Sequence, residues 1–137
     1  MKAKGNGGCL CGQVRLQIVG VPGVVLECHC KDCQKSTGGG AVLAALCSRD
    51  AVELLQGELA GYSVVGDSGG EVRRCFCSTC GTPVYSELAK YPDHLVLKSG
   101  IWDIDPGLRP NMAIWTDSAP AWHHVPDDIP SSPRAPG

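Results

Sequence analysis

The chain has 137 residues and a mass of 14.3 kDa, the usual size of a domain with one hydrophobic core, so a second catalytic domain is excluded. Its 12 lysines and arginines against 14 aspartates and glutamates leave a net charge of -2, which disfavours nucleic acid and acidic membrane surfaces as partners. Apolar runs such as residues 40–47 fall short of the roughly 20 residues that a membrane-spanning helix needs. The basic residues 1–4 lead into glycines rather than an apolar segment, so we expect no secretory signal and a cytoplasmic protein.

Nine short segments have the pattern of β-strands. Residues 13–19 alternate polar and apolar side chains, which predicts a half-buried strand. Residues 50–56 permit a short helix or a strand, and we prefer a strand. The other predicted strands are short apolar runs bounded by Gly, Pro, Asp or Ser. In chain order they are residues 24–26, 41–46, 52–55, 62–65, 72–76, 83–85, 94–98 and 112–115.

Little helix is expected in this chain. No segment has a convincing helical period, although residues 31–37 are compatible with one helical turn. Five of the ten prolines lie in the last 19 residues, where they oppose ladder hydrogen bonding. We therefore predict a single, small, antiparallel all-β domain over residues 1–130. The predicted disordered tail is residues 131–137, because no apolar anchor follows Ile129.

The nine cysteines indicate metal binding rather than disulfide bonds. Their number is odd, and seven of them lie in tight groups. Residues i and i+2 of a strand share a face, and a tight turn brings two sulfurs toward one point. Without a secretory signal, thiolates that converge in this way indicate zinc. The groups are Cys9 and Cys11; Cys28, Cys30 and Cys33; and Cys77 and Cys80.

Two of these groups form pairs that together complete a four-sulfur site. Cys77 and Cys80 precede Gly81, which allows the positive φ of a zinc knuckle. Cys9 and Cys11 supply two further ligands. A closed site with four protein ligands is the structural type, so we predict a structural zinc here.

The central group fills three positions of a tetrahedron and leaves the fourth open. Cys28, Cys30 and Cys33 are therefore the predicted catalytic zinc ligands, because catalytic zinc keeps one exchangeable position. In the alternative interpretation a fourth protein ligand closes the site, and both metals are structural. The candidates are Cys75, which should share a face with Cys77; Cys47, which we assign to the core; and His29, which should point away from the metal toward the surface.

Four segments of the chain resemble the glutathione-dependent formaldehyde-activating enzyme family, which includes centromere-protein-V-like proteins. They are residues 8–15, 28–38 and 74–81, followed by Ile114-Trp115 with Pro120-Ala121-Trp122. The resemblance implies an antiparallel β-tent fold with structural zinc on Cys9, Cys11, Cys77 and Cys80. It implies catalytic zinc on Cys28, Cys30 and Cys33. The chain departs from the family in having Leu10 between the first two cysteines, Cys75 before Phe76, and no basic residue before Pro120.

Three thiolates suggest the type of chemistry. With Zn²⁺ they carry a formal charge of about -1, which makes the metal a weak Lewis acid and favours binding of a further thiol over hydrolysis. The family resemblance implies a carbon–sulfur lyase similar to S-(hydroxymethyl)glutathione synthase. Such an enzyme adds glutathione or another small thiol to an aldehyde-type electrophile, or catalyses the reverse cleavage.

Several residues are candidates for contact with this substrate. Lys31, Lys35, Ser36 and Thr37 flank the central group and are predicted to bind a peptide-like thiol, although the lysines also fit a solvated surface turn. Three tryptophans fit packing positions better than a substrate pocket. Two histidines fit exposed positions better than acid–base roles. These are Trp102, Trp115, Trp122, His123 and His124.

The expected cofactors are two zinc ions, one structural and one catalytic and more labile, with glutathione as a co-substrate. The expected partners are a small thiol and a small electrophile, and the chain is expected to be a monomer or a homodimer. The alternative function is a non-catalytic scaffold that zinc stabilises and that binds a protein partner. An enzyme needs an exchangeable metal position in a cleft, whereas a scaffold needs a wide exposed apolar patch.

Overall fold

The computed structural model describes residues 4–20, 22–67 and 69–135 and contains two β-sheets. The smaller sheet has the strand order β1-β2-β5, with both pairs antiparallel. Its strands are β1 (Lys4–Gly8), β2 (Arg15–Val19) and β5 (Val52–Gln56). Leu16 and Ile18 of β2 are buried, whereas the alternate residues Arg15, Gln17 and Val19 are only partly buried, as the alternating pattern predicts.

The larger sheet has seven strands in the order β10-β3-β4-β9-β8-β7-β6. Every pair is antiparallel except β10 and β3, which run parallel, so the predicted all-β fold is confirmed with one parallel pair that the strand pattern did not indicate. The strands are β3 (Val24–Cys28), β4 (Val42–Ser48), β6 (Leu59–Val65), β7 (Glu71–Cys77), β8 (Pro83–Leu88), β9 (His94–Lys98) and β10 (Met112–Ile114).

The nine predicted strands overlap strands of the structure, but β1 was not predicted. Its sequence, KGNGG, has no apolar residue to signal a strand. Glycine is needed there for close packing: a Cβ on Gly7 would lie 2.2 Å from the Ile101 carbonyl oxygen, and one on Gly8 would lie 2.1 Å from that of Val14. All five residues of β1 pair with β2, which compensates for the missing apolar side chains.

One α-helix, α1 (Lys31–Thr37), lies between β3 and β4, where the sequence is compatible with one helical turn. Short 3-10 turns occupy Arg49–Ala51, Ser99–Ile101 and Thr116–Ser118. Among the described residues, no helix is both long enough and apolar enough to cross a membrane.

The tail predicted to be disordered meets the sheet over its described part. Ser132 donates from its backbone N–H to the carbonyl of Ala113, 2.9 Å away, and Trp115 donates to the carbonyl of Arg134 at 3.1 Å. Ser131 forms a parallel bridge with Ala113. The tail therefore gains backbone hydrogen bonds beside β10 in place of an apolar anchor. Residues 136 and 137 lie outside the described part of the chain.

The core has two clusters of buried side chains. The larger one contains aliphatic residues of both sheets and includes Cys47, which is 5% exposed and whose pKa burial raises to about 11. Cys47 is therefore a core residue, as predicted. The smaller cluster is built on β3, β4, β10 and α1 and includes Cys28 and Cys33, so the second cysteine group lies at the edge of a packed core.

Candidate metal centres

Four thiols from distant parts of the chain meet between the two sheets. Cys9 and Cys11 lie in the loop between β1 and β2, Cys77 ends β7, and Cys80 lies in the turn before β8. The sulfurs of Cys9 and Cys11 are 3.5 Å apart, and those of Cys11 and Cys77 are 3.8 Å apart. Gly81 has φ +78°, as the predicted knuckle turn requires. We call these four residues the four-thiol group.

The four-thiol group fits a structural zinc ion. Zinc–sulfur bonds of about 2.3 Å in a tetrahedron place the sulfurs about 3.8 Å apart, close to the separations observed. Backbone N–H groups also point at the sulfurs: Val14 donates to Cys9 at 3.2 Å, and Thr79 donates to Cys77 at 3.4 Å. Hydrogen bonds from Thr82 lower the pKa of Cys80 to about 5, which favours the thiolate that zinc binds.

The other three predicted ligands meet where β3 ends and α1 begins. Cys28 is the last residue of β3, Cys30 is the N-cap of α1, and Cys33 lies in its first turn. The sulfur of Cys33 is 2.9 Å from that of Cys30 and 3.4 Å from that of Cys28. The Cys30 sulfur also accepts a hydrogen bond from the Cys33 N–H at 3.2 Å, so it caps the helix as a serine would. We call these residues the three-thiol group.

The electrostatics of the three-thiol group favour a thiolate. Hydrogen bonds from Cys28 and Cys33, with the positive charge of Arg74, lower the pKa of Cys30 to about 2. The Nε of Arg74 is buried and has no hydrogen-bond partner within the described ranges. Lys98 at the end of β9 also interacts with the thiols; burial lowers the pKa of Lys98, and the nearby thiolates oppose that shift. Arg74 and Lys98 therefore place two basic side chains near the sulfurs of the three-thiol group.

Arg74 and Lys98 were not predicted as site residues. Arg74 was noted only as part of a motif, and Lys98 ends an apolar strand. Strand pairing brings Lys98 to the site, because β4 pairs with both β3 and β9, whereas Arg74 lies on β7, which follows β9 and β8 in the same sheet. The charged residue at the end of this otherwise apolar run is the one sequence signal that would have indicated Lys98.

The candidates for a fourth protein ligand lie elsewhere. The Cys75 sulfur is 3.6 Å from a carboxylate oxygen of Glu87, and burial raises the pKa of Cys75. Cys47 lies in the other core cluster. Within residues 4–20, 22–67 and 69–135, no other Cys, His, Asp or Glu joins the three-thiol group.

His29 points away from the thiols, as expected, but its predicted surface position is wrong. Its side chain is fully buried, because residues from β10 and the C-terminal loop cover it. His123, expected to be exposed, is 22% exposed and packs edge-on against His29, whereas His124 is exposed.

The predicted substrate contacts all lie on α1. Lys31 and Lys35 are exposed, and the hydroxyls of Ser36 and Thr37 donate to the carbonyl of Cys33 at 3.2 and 2.7 Å. Of the tryptophans, Trp102 and Trp115 pack against the two core clusters, and Trp122 is 74% exposed.

The comparisons with known proteins agree with this architecture. The family model of the glutathione-dependent formaldehyde-activating enzyme matches residues 4–118, a span that contains both cysteine groups. A Rhodobacter sphaeroides protein, solved by crystallography as a Northeast Structural Genomics target, is similar in fold with a TM-score of 0.59. The two sequences are 24% identical, and the similarity covers 80% of this chain and 98% of that one. No curated protein matches the chain.

Proposed function

Because the chain belongs to the glutathione-dependent formaldehyde-activating enzyme family, we propose that it binds a small thiol, such as glutathione, at the three-thiol group. The reaction is addition of this thiol to an aldehyde-type electrophile, or the reverse cleavage of the carbon–sulfur bond. The observation that carries the proposal is the ligand set: three converging thiols that no fourth His, Cys, Asp or Glu of the described residues joins. An exchangeable position is what separates catalytic from structural zinc sites.

The donor chemistry of the three-thiol group suits zinc, which Cys28, Cys30 and Cys33 would hold. Zinc bound there supplies a Lewis acid that favours the thiolate form of a substrate thiol. The lowered pKa of Cys30 favours a thiolate at that ligand, whereas thiol–thiol hydrogen bonds and burial raise the pKa values of Cys28 and Cys33, so zinc would have to displace protons from those two thiols.

Two nearby cations support binding of an anionic thiol. Three thiolates and Zn²⁺ sum to a formal charge of about -1, and a substrate thiolate would bring it to about -2. A charge of this size beside a packed core is costly unless it is compensated. The charges of Arg74 and Lys98 reach Cys30 and Cys33, respectively, so we assign these two residues to charge compensation.

The exposed face of α1 is the proposed contact surface for the rest of the substrate. Lys31 and Lys35 are exposed and would pair with the carboxylates of a peptide-like thiol. The hydroxyls of Ser36 and Thr37 already donate to a backbone carbonyl, so they would serve the substrate as acceptors.

The test of the proposed function is the rate at which formaldehyde and glutathione form their adduct, followed by NMR exchange spectroscopy. We expect the zinc-loaded protein to accelerate the exchange and Cys33→Ser to abolish the acceleration. Cys75→Ser is the matched control, because a serine hydroxyl can keep the contact with Glu87. An unaccelerated reaction with the zinc-loaded protein would favour the scaffold alternative, and equal activity of the two variants would exclude the three-thiol group as the catalytic site.

A further inference from the structure

Besides the four-thiol and three-thiol groups, a further set of possible metal ligands lies on the opposite side of the segment that carries the three-thiol group. Cys28 and Cys30 alternate with Glu27 and His29, so the two pairs point to opposite faces of the extended chain. His123, from the C-terminal loop, meets Glu27 and His29. One potential ligand atom from each of these three residues lies within 4.8 Å of the other two.

The hydrogen bond of His29 determines which ring nitrogen is free. Its Nδ1 lies 2.9 Å from the backbone carbonyl oxygen of Ile114, which can only accept, so Nδ1 carries the proton. In a neutral imidazole the Nε2 lone pair is then free. A second ring nitrogen that donates to a carbonyl is the usual support of a metal-binding histidine.

Two polar atoms in this cluster are buried without hydrogen-bond partners in the described part of the chain. They are the Nε2 of His29, whose side chain is fully buried, and the Oε2 of Glu27. The other carboxylate oxygen of Glu27, Oε1, lies 3.9 Å from this Nε2. A lone pair that faces a carboxylate oxygen is unfavourable, whereas a cation between the two groups would satisfy the His29 Nε2 and bind the carboxylate.

His123 completes the set. Its Nε2 is 3.1 Å from Glu27 Oε1, and its ring packs edge-on against His29 with centroids 5.1 Å apart. Gly40 leaves the space for this ring, since a Cβ at that position would lie 2.9 Å from His123 Nδ1. Ligands at about 2.1 Å from a tetrahedral ion are about 3.4 Å apart, which lies between the two nitrogen–carboxylate distances observed.

We propose that Glu27, His29 and His123 bind a divalent transition-metal ion on the face of the segment opposite the three-thiol group. Two imidazoles and one carboxylate suit Zn²⁺, Fe²⁺ or Co²⁺, whereas Mg²⁺ and Ca²⁺ prefer oxygen ligands. Three protein ligands leave coordination positions open. His123 lies beyond the segment that matches the family model, and the site does not depend on the proposed function.

The test is a titration with Co²⁺ of protein that carries two equivalents of zinc, enough to fill the two thiol groups and leave the proposed site empty, followed by calorimetry and visible absorption. Cobalt should not displace zinc from thiolates, because zinc binds such sites more tightly. We expect the wild type to bind one equivalent of Co²⁺ more than His123→Ala, with d–d absorption and no new thiolate-to-cobalt charge transfer. The matched control is His124→Ala, which changes the exposed neighbouring histidine and should bind as the wild type does.

Equal Co²⁺ binding by His123→Ala and His124→Ala would overturn the proposal, and so would an added equivalent that carries thiolate charge transfer. No added binding by the wild type would mean that His123 and Glu27 form an ion pair only, and this also contradicts the site. If circular dichroism shows that His123→Ala is unfolded, Glu27→Gln replaces it. This variant keeps the side-chain volume and should lose the same equivalent.

Discussion

Arg15 of β2 and Asp103 form an ion pair that ties the smaller sheet to the segment after β9. The pair is bidentate, with Arg15 Nη1 3.2 Å from Asp103 Oδ1 and a second contact between Nη2 and Oδ2. The hydrogen bonds from Arg15 hold the pKa of Asp103 below its usual value. Both groups are partly exposed, so solvent screens the pair and its contribution to stability is small.

The Arg15–Asp103 pair predicts a pH dependence of stability. Because the pKa of Asp103 is lower in the folded state, the pair stabilises the fold above the unfolded pKa of about 3.9, and the stabilisation is lost as the pH falls through the folded value. Asp103→Asn should therefore lose stability less steeply below about pH 4 than the wild type in urea titrations. Asp105→Asn keeps an acceptor for the Gly107 N–H and is the control. Parallel pH profiles for Asp103→Asn and the wild type would contradict this prediction.

Among secondary-structure elements, α1 positions one ligand of the three-thiol group and is held at both ends. Cys30 caps its N-terminus, and Gly38, at φ +80°, ends it by donating to the Gln34 carbonyl at 2.7 Å. The side-chain amide of Gln34 donates to the carbonyls of His29 at 2.8 Å and Ser118 at 2.9 Å. Gln34 therefore links α1 to the ligand segment before it and to the C-terminal part of the chain.

Gln34→Ala is predicted to loosen the three-thiol group without unfolding the domain. The variant loses two hydrogen bonds, which costs about 1–3 kcal/mol of the free energy of unfolding. Zinc on the three-thiol group should pass to a chelator faster, while zinc on the four-thiol group should be retained as in the wild type. Gln17→Ala, on β2, makes the same chemical change away from α1 and is the control. Zinc release from Gln34→Ala at the wild-type rate would show that α1 does not need this anchor.

For the molecule as a whole, the four-thiol group joins the two sheets. Two of its cysteines lie in a loop of the smaller sheet and two lie at the β7–β8 turn of the larger one. The core between them is aliphatic, and the chain has a single phenylalanine. Structural zinc contributes roughly 10–16 kcal/mol in small domains, which equals or exceeds the usual net stability of about 5–15 kcal/mol.

The two cysteine groups should therefore respond differently to the same substitution. Cys80→Ser should unfold the domain, because it opens the site that joins the sheets. Cys33→Ser should remain folded and lose only the more labile zinc. Circular dichroism with metal analysis of both variants measures the difference. Equal unfolding of the two variants would favour two structural sites.

Much of this organisation could be predicted from local sequence patterns, because strands and cysteine pairs depend on residues two or three apart. Alternation also predicted that His29 points away from the thiols. Its burial could not be predicted, since the residues that cover it come from β10 and the C-terminal loop. Arg74 and Lys98 could not be predicted as site residues for the same reason, because strands that are distant in sequence bring them near the three-thiol group. The strand β1 was missed because its pairing, rather than its side chains, stabilises it.

The most direct test of the central claim is X-ray absorption at the zinc edge with the selenol analogue of glutathione. If the three-thiol group holds zinc with an exchangeable position, a zinc–selenium shell should appear in the wild type and be absent in Cys33→Ser. A zinc environment with no selenium neighbour at saturating ligand, and with an unchanged fourth ligand from the protein, would contradict the account.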